Sequence, residues 1–414
     1  MRSDAADGPS VPDVGVLAFV PDRWEIPWQL RHQVLTRLAR YFHVVWVTPP
    51  TPWRDQLRSW RAHGPTAERS AGADRPGFTV FRPPVWLPAI GRPARLEAWA
   101  DETRLRQARR LLETRGCTRI VAYLWRPAFA SVLDRLPHDV SCYHIDDEYS
   151  FSDVEGAVDP AEARLIGRVD EVFIHSPALL EKKGHLNPST TFVPNGVDFQ
   201  AFATPTGEPS DLAVVPHPRI GYVGRIKRQL DLQLVRTLAE RHPDWSFVMV
   251  GPVEHVAEIG PAMATLSRLP NVYLLGPRPV EQLPAYTQHL DVCTLWYQVN
   301  GYTKFIYPLK LHEYLASGRP VVSSPIDSLR AFDEVVRLAR TPEEWSTALT
   351  DSLNETASSP DLVDRRQRTA REHDWSRPVS TIAKALTRRL ARRIGPGSLG
   401  SAAQNRVEYR VAVP

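Results

Sequence analysis

The segment Tyr302-Thr303-Lys304-Phe305-Ile306-Tyr307-Pro308-Leu309-Lys310-Leu311-His312-Glu313-Tyr314-Leu315-Ala316-Ser317-Gly318-Arg319-Pro320 gathers residue types that suit an anionic ligand. Pro308 fits the first turn of a helix running to Ser317, and Gly318 can end that helix before an apolar strand. Backbone N–H groups from Tyr307 through Leu309 and Lys310 then lack intrahelical acceptors and can face a phosphate. Lys310 and Glu313 are three residues apart and share a face. The chemical reading sets Lys310 beside a diphosphate and Glu313 one turn deeper, where its oxygens accept ribose hydroxyls. The same spacing also describes an ordinary surface ion pair, worth only about 0.2–0.5 kcal/mol. A second concentration is His144-Ile145-Asp146-Asp147-Glu148-Tyr149, just after an apolar run. Adjacent carboxylates can raise one another's proton affinity and yield a group that takes a hydroxyl proton. A plain loop or helix start uses the same letters.

Positioning these groups requires elements, and the chain supplies them in alternation. Val14 to Val20 is a continuous apolar run of the kind found in a strand buried on both faces. Residues 29–40 carry Leu30, Val34, Leu35 and Leu38 at helical spacing, and His43 to Val47 reads as the next strand. The Pro-, Trp- and Arg-rich stretch 48–93 reads as a loop region on the active-site side, with one short strand at Phe78–Phe81. A helix over 94–115 and strands at 119–124, 140–143 and 171–175 continue the pattern. Residues 201–218 hold four prolines and few apolar anchors, and mark a junction. A second cycle follows: strand Arg219–Gly224, helix 229–241, strand Trp245–Val250 ending at Gly251-Pro252, then strands at 272–275, 292–295 and 320–323. Two such α/β units imply mostly parallel open sheets, with ligand groups at their carboxyl ends and in the crevice between them.

The expected organisation is therefore an acceptor-side Rossmann-like domain over 1–200, a linker over 201–218, a ligand-binding domain over 219–375, a helix over 376–394 returning to the first domain and a flexible tail over 395–414. The 376–394 helix bears Lys384, Arg388, Arg389, Arg392 and Arg393 without an acid among them, which suits either packing on the first domain or contact with anionic lipid. Peripheral membrane contact thus stays open.

Composition narrows the partners. At 414 residues, 43% hydrophobic and 24% charged, the chain is long enough for two folded domains. A formal charge of +4, dispersed along the sequence, argues against a nucleic-acid partner. Cys117, Cys142 and Cys293 match no paired metal-ligand spacing and are too few for a disulfide framework, which fits a reducing cytoplasm. No apolar targeting core or membrane-spanning run is visible in the sequence.

Taken in order, these segments resemble the GT-B glycosyltransferases, two-domain enzymes with Rossmann-like sheets, and among them bacterial family four, also called group 1. The donor-sugar motif of that family is an acid, seven residues, Glu, then Ala-x-Gly-x-Pro-Val; Glu313 and Ala316 to Val321 match it, whereas the first acid position falls on Phe305. Gly221-Tyr222-Val223-Gly224-Arg225 resembles the family's turn at the donor diphosphate, which implies close approach at Gly224, phosphate contact by Arg225, and further charge from Lys227 or Arg228. Gly251 ends the following strand, and the segment around Pro277 and Arg278 resembles the part that frames the nucleobase. Trp24 to His32 resembles an N-terminal segment of a bacterial group of these enzymes, implying acceptor contact by Trp28 and Arg31; a core role for Trp28 fits its size equally. In the 144–149 cluster the resemblance implies Asp147 as general base if the enzyme inverts, His144 as a residue orienting the acceptor, and acceptor contact by Asp146 and Tyr149. Pro194 to Asp198 resembles the family's domain junction.

The resemblance implies transfer of a sugar from a nucleotide diphosphate sugar, with UDP-sugar favoured, to a hydroxyl- or amine-bearing acceptor: a small molecule, a glycan or a lipid-linked molecule. It implies no metal and no cofactor, with Arg225, Lys310 and the helix terminus stabilising the departing diphosphate. Family-four likeness favours retention. A 2-epimerase-like isomerase and a noncatalytic sugar-binding protein share the architecture and are the competing readings.

Overall fold

The computed structural model describes residues 8–25, 28–55, 75–150, 156–254, 258–355 and 360–394. Two sheets carry the chain, and every pairing in both is parallel. The first has the order β3-β2-β1-β4-β5-β6-β7, from β1 (Val14–Phe19), β2 (His43–Val47), β3 (Phe78–Phe81), β4 (Arg119–Leu124), β5 (Val140–Ile145), β6 (Glu171–Ile174) and β7 (Thr190–Phe192). The second has the order β10-β9-β8-β11-β12-β13, from β8 (Arg219–Val223), β9 (Ser246–Val250), β10 (Val272–Gly276), β11 (Val292–Leu295), β12 (Val321–Ser323) and β13 (Arg337–Leu338). The expected class, two Rossmann-like units with mostly parallel sheets, is the one observed.

The continuous apolar run of β1 has its reason in this layering. Val14, Val16 and Ala18 point into one core, whereas Leu17 and Phe19 point into the other, so both faces are covered. Helix Leu30–Leu38 buries Leu30, Val34, Leu35 and Leu38 on the first of these faces. The last described helix, Ser376–Ile394, lies beside it, with Val379, Ile382, Ala383, Leu386 and Leu390 in the same core. Arg389 donates to the Glu171 carboxylate at 2.8 Å and to the Asp170 carbonyl at 2.7 Å; Arg393 reaches Asp170 at 2.6 Å. The apolar face of this cationic helix is therefore covered by the first sheet.

The 201–218 stretch is more than a tether. Phe202, Leu212 and Val215 are buried in the core of the second sheet, and Glu208 pairs with Arg219. The few apolar residues in this Pro-rich stretch anchor it because each is buried in that core, which composition alone does not reveal. Gly196 has an extended or right-handed backbone. What it supplies is space, since a Cβ there would lie 2.7 Å from the His373 carbonyl oxygen and 3.0 Å from the Trp375 ring.

Candidate active site

Three turns stack at the carboxyl ends of β8, β9 and β10, and each requires glycine. Gly224, Gly251 and Gly276 have φ of 151°, 145° and 74°. The Gly224 N–H donates to the Val250 carbonyl at 2.7 Å, and the Gly251 N–H to the Gly276 carbonyl at 2.8 Å. A Cβ on Gly251 would stand 2.1 Å from the Gly224 carbonyl oxygen, so the two backbones touch with no room between them. A Cβ on Gly224 would stand 1.8 Å from Lys310 Cε, which lies directly across the turn.

Lys310 comes from helix Leu309–Ala316, whose N-terminus points into the same crevice. Pro308 is its N-cap with extended backbone, one position earlier than the first-turn place expected from the sequence, and no side chain caps the end. Among the described residues the Leu309 and Lys310 N–H groups have no acceptor. Gly318, with φ 75°, ends the far side. Burial of Glu313 raises its carboxyl above the usual range, with Lys310 opposing. The Lys310 ammonium also sits 5.3 Å from the centroid of the Tyr222 ring.

The charge balance of this corner is lopsided. Lys227, on the loop after β8, is pushed down to about 8, first by burial and then by Lys310, with Arg225 adding to the push and Asp147 and Glu254 opposing it. Among the described residues the side chains of Arg225, Lys227 and Lys310 have no carboxylate in salt-bridge contact. Three cations that repel one another in a partly enclosed space are a prepared site for an anion of more than one charge.

Opposite, the first sheet contributes the loop after β5, and neighbouring residues take opposite roles. Asp146 turns inward. Burial alone would raise its carboxyl, but Arg31 at 2.6 Å, Arg126 at 2.6 Å and the Tyr149 hydroxyl outweigh that and hold it well below the usual carboxylate range. The mutual rise in proton affinity expected for adjacent carboxylates therefore does not occur at Asp146, because two guanidiniums intervene. Asp147 turns to the crevice, where it accepts from the Tyr302 hydroxyl of the second domain and from the Glu148 N–H, both at 2.8 Å.

The other sequence candidates separate in the same way. His144 is fully buried, stacked on Trp125 with centroids 4.2 Å apart and bonded to the Tyr123 hydroxyl at 2.8 Å; burial pushes its imidazole down to about 3. It is a neutral strand residue beneath the loop. Arg31 also bonds Asp22, so its charge is fully used within the domain. Trp28 belongs to an aromatic pile, 4.8 Å from the His32 ring and 5.5 Å from that of Trp24. Arg278 binds Asp211 and the Tyr286 hydroxyl and covers the Pro277 carbonyl at 2.8 Å, so its guanidinium is engaged within the second domain. The Tyr307 hydroxyl is turned away to His312 at 2.9 Å, while its carbonyl accepts from Asn195 of the junction at 2.6 Å. Leu309 packs against the core of the first sheet.

Sequence reading assigned no role to Tyr302, although it opens the segment singled out above, because its partner Asp147 lies 155 residues away; it missed Arg126, which lies in a segment without a distinctive pattern. It also missed the buried Lys183, whose ammonium bridges Glu162 at 3.0 Å and Glu148 at 3.3 Å under the 146–149 loop. Phe305, standing where the family has an acid, is buried among residues of the first domain such as Leu17 and Phe19. Its ring centroid lies 5.1 Å from the Lys182 ammonium of the first domain.

Residues 217–355 match the protein-family model described as glycosyl transferases group 1. Over 176 residues the chain is 33% identical to the putative teichuronic acid biosynthesis glycosyltransferase TuaH of Bacillus subtilis, a match that spans 41% of this chain and 43% of that protein. The structure of Anabaena HepE with UDP and glucose superposes with a TM-score of 0.63 at 16% identity, covering 90% of this chain and 99% of HepE. A UDP-forming trehalose-phosphate synthase from Burkholderia xenovorans superposes with a TM-score of 0.58 at 15% identity, covering 90% and 98%. The chain thus has the two-domain GT-B fold, and the part of it that is similar to the glycosyl transferases group 1 is residues 217–355, which carry the strands of the second sheet.

Proposed function

We propose that the protein transfers a sugar from a nucleotide diphosphate sugar, with UDP as the carrier, to a hydroxyl group of an acceptor bound on the first-domain side. The observation that carries this reading is the convergence of Arg225, Lys227, Lys310 and the open N-terminus of helix Leu309–Ala316 on one corner, where among the described residues no carboxylate is in salt-bridge contact with the three side chains. A diphosphate supplies the missing charge, and the same groups stabilise it further as it departs. They provide the neutralisation that a metal supplies elsewhere, so the reaction proceeds without one. Glu313, one turn deeper, accepts the ribose hydroxyls. The choice of UDP is supported by the UDP and glucose held in HepE and the UDP-forming synthase with the same fold.

In the reaction the bond between the anomeric carbon and the β-phosphate oxygen breaks, the acceptor oxygen bonds that carbon, and the acceptor proton leaves. On the retaining route, which the family likeness supports, the departing phosphate oxygen takes the proton on the same face. Asp147, at the mouth and bonded to Tyr302, is the group that would take it on an inverting route. The anomeric configuration of the product distinguishes the two.

Calorimetric titration of UDP into the purified protein tests the donor site. Replacing Arg225 or Lys310 by Ala is expected to weaken UDP binding by about tenfold to a hundredfold, as for loss of a charge-assisted hydrogen bond. Unchanged binding and turnover in both variants would sink the assignment. Conversion of the nucleotide sugar with no acceptor present would instead support an epimerase, and binding without transfer across a broad acceptor panel a noncatalytic protein.

A further inference from the structure

Large apolar side chains stand exposed on one part of the first domain. Trp86 is 64% exposed, Trp99 51%, Trp53 43%, Leu96 49% and Val85 76%. They come from three segments that are fastened to one another. The Trp53 N–H donates to the Ala89 carbonyl at 3.2 Å, and Ala89 returns a bond to Thr51 at 3.0 Å. The Glu97 carboxylate accepts from the N–H groups of Ile90 and Gly91, and Arg104 clamps the carbonyls of Leu87 at 3.0 Å and Pro88 at 2.7 Å. The result is a platform made by residues 51–55, by residues 84–91 of the loop after β3 and by helix Ala94–Glu113.

The charge on this platform is one-sided. On the helix, Ala100, Arg104, Ala108 and Leu112 form the buried stripe, so Arg95, Trp99 and Arg106 project from the opposite side. Among the described carboxylates here, Glu97 and Asp101 bind Arg104, Glu102 binds Arg106, and Asp55 is also engaged. Arg92 and Arg95 are exposed and make no ion pair among the described residues, and Arg54 lies over the Trp53 ring at 5.3 Å. Exposed indoles set among unmatched guanidiniums are the composition of a surface that sits at a lipid–water boundary: the rings enter the headgroup layer while the cations meet lipid phosphates.

We propose that this platform docks the protein on an anionic phospholipid bilayer. Because the first sheet is all parallel, the platform lies at the same end as the Asp146–Asp147 loop, since both follow carboxyl ends of its strands. Docking therefore brings the acceptor side of the crevice near the membrane surface, where a lipid-linked acceptor can reach it. The inference is independent of the sugar-transfer reading, and of the basic helix Ser376–Ile394, whose apolar face is covered.

Sedimentation of the full chain with vesicles tests it, comparing phosphatidylcholine alone with phosphatidylcholine plus phosphatidylglycerol. Binding to the mixed vesicles is expected, weakening as salt is raised. Replacing Trp86 and Trp99 together by Ser should lower partitioning at least tenfold, and Arg92→Ala with Arg95→Ala should remove the preference for phosphatidylglycerol. Lys310→Ala should leave vesicle binding unchanged, so a failed donor site and a failed membrane surface are read separately. Absence of vesicle binding overturns the proposal, as does equal binding by the folded double Trp variant. Dimerisation without lipid that the same variant abolishes would assign the platform to a second copy of the chain instead.

Discussion

Lys227 holds its proton less tightly than an exposed lysine because the crevice buries it beside Lys310. With its value near 8, the ammonium is charged below that pH and lost above it. A bound diphosphate favours the charged form, so binding above about pH 8 must take up a proton, and affinity falls as pH rises by up to about tenfold per unit. Calorimetric titration with UDP in two buffers of different ionisation enthalpy should show that uptake near pH 9 and little near pH 6.5, by about these margins. Lys227→Met should bind more weakly and lose the lysine's share of the slope; a wild-type protein with no pH dependence would refute the placement. Asp146 presents the reverse case, a carboxylate already satisfied by Arg31 and Arg126. Asp146→Asn leaves two partly buried guanidiniums short of a partner, and a loss of about 3–5 kcal/mol in urea unfolding is expected. A change within about 0.5 kcal/mol would show the network to be solvated, as surface substitutions behave.

At the scale of elements, two of the three stacked glycines, Gly251 and Gly224, should fail differently. Gly251→Ala forces a Cβ into the Gly224 backbone, which cannot withdraw. A stability loss above about 2 kcal/mol is expected, strain at a special backbone position adding to overpacking. Gly224→Ala meets the end of the flexible Lys310 side chain instead. Backbone strain still costs stability there, but the larger effect should be on UDP affinity, because Lys310 is displaced. Thermal unfolding and UDP titration of both variants separate the cases, and equal loss of affinity at equal stability would contradict the geometry. Helix Ser376–Ile394 is an element of the first core although it is last in sequence. Leu386→Ala, at a fully buried position, should cost about 2–5 kcal/mol in chemical unfolding. A far smaller loss would mean that the helix is only loosely seated.

For the whole molecule, the second sheet has one apolar core, whereas the first has one on each face, and the chain passes from the first sheet to the second and back. Asn195 to Tyr307 and Tyr302 to Asp147 are polar ties between the two halves, and Phe305 and Leu309 add apolar contact. Such a junction permits closure around a ligand without merging the cores. Scanning calorimetry is therefore expected to resolve two transitions. UDP at a hundredfold over its Kd should stabilise only the one belonging to the second domain, by about 2.7 kcal/mol. A single transition that moves as a whole would show the halves to unfold together.

The alternation of apolar runs and amphipathic segments determined the two parallel sheets, because burial on both faces leaves strands such as Val14–Phe19 no polar positions. Helix Leu309–Ala316 was legible for a local reason, since its proline start and glycine stop are written in adjacent residues. What a side chain does depends on partners far away in sequence, and only the tertiary structure decided it. Asp146 and Asp147 are indistinguishable as letters, yet Arg31, 115 residues earlier, claims the first, while Tyr302, 155 residues later, claims the second. Phe305 carries no sign in its own neighbourhood that it belongs to the packing of the other domain. The sequence marks Lys227 as one of two candidates for further charge, but only the fold shows it buried with Lys310 beside it. Local propensity is short-ranged, whereas charge pairing and burial are settled by whatever the fold brings within a few ångströms.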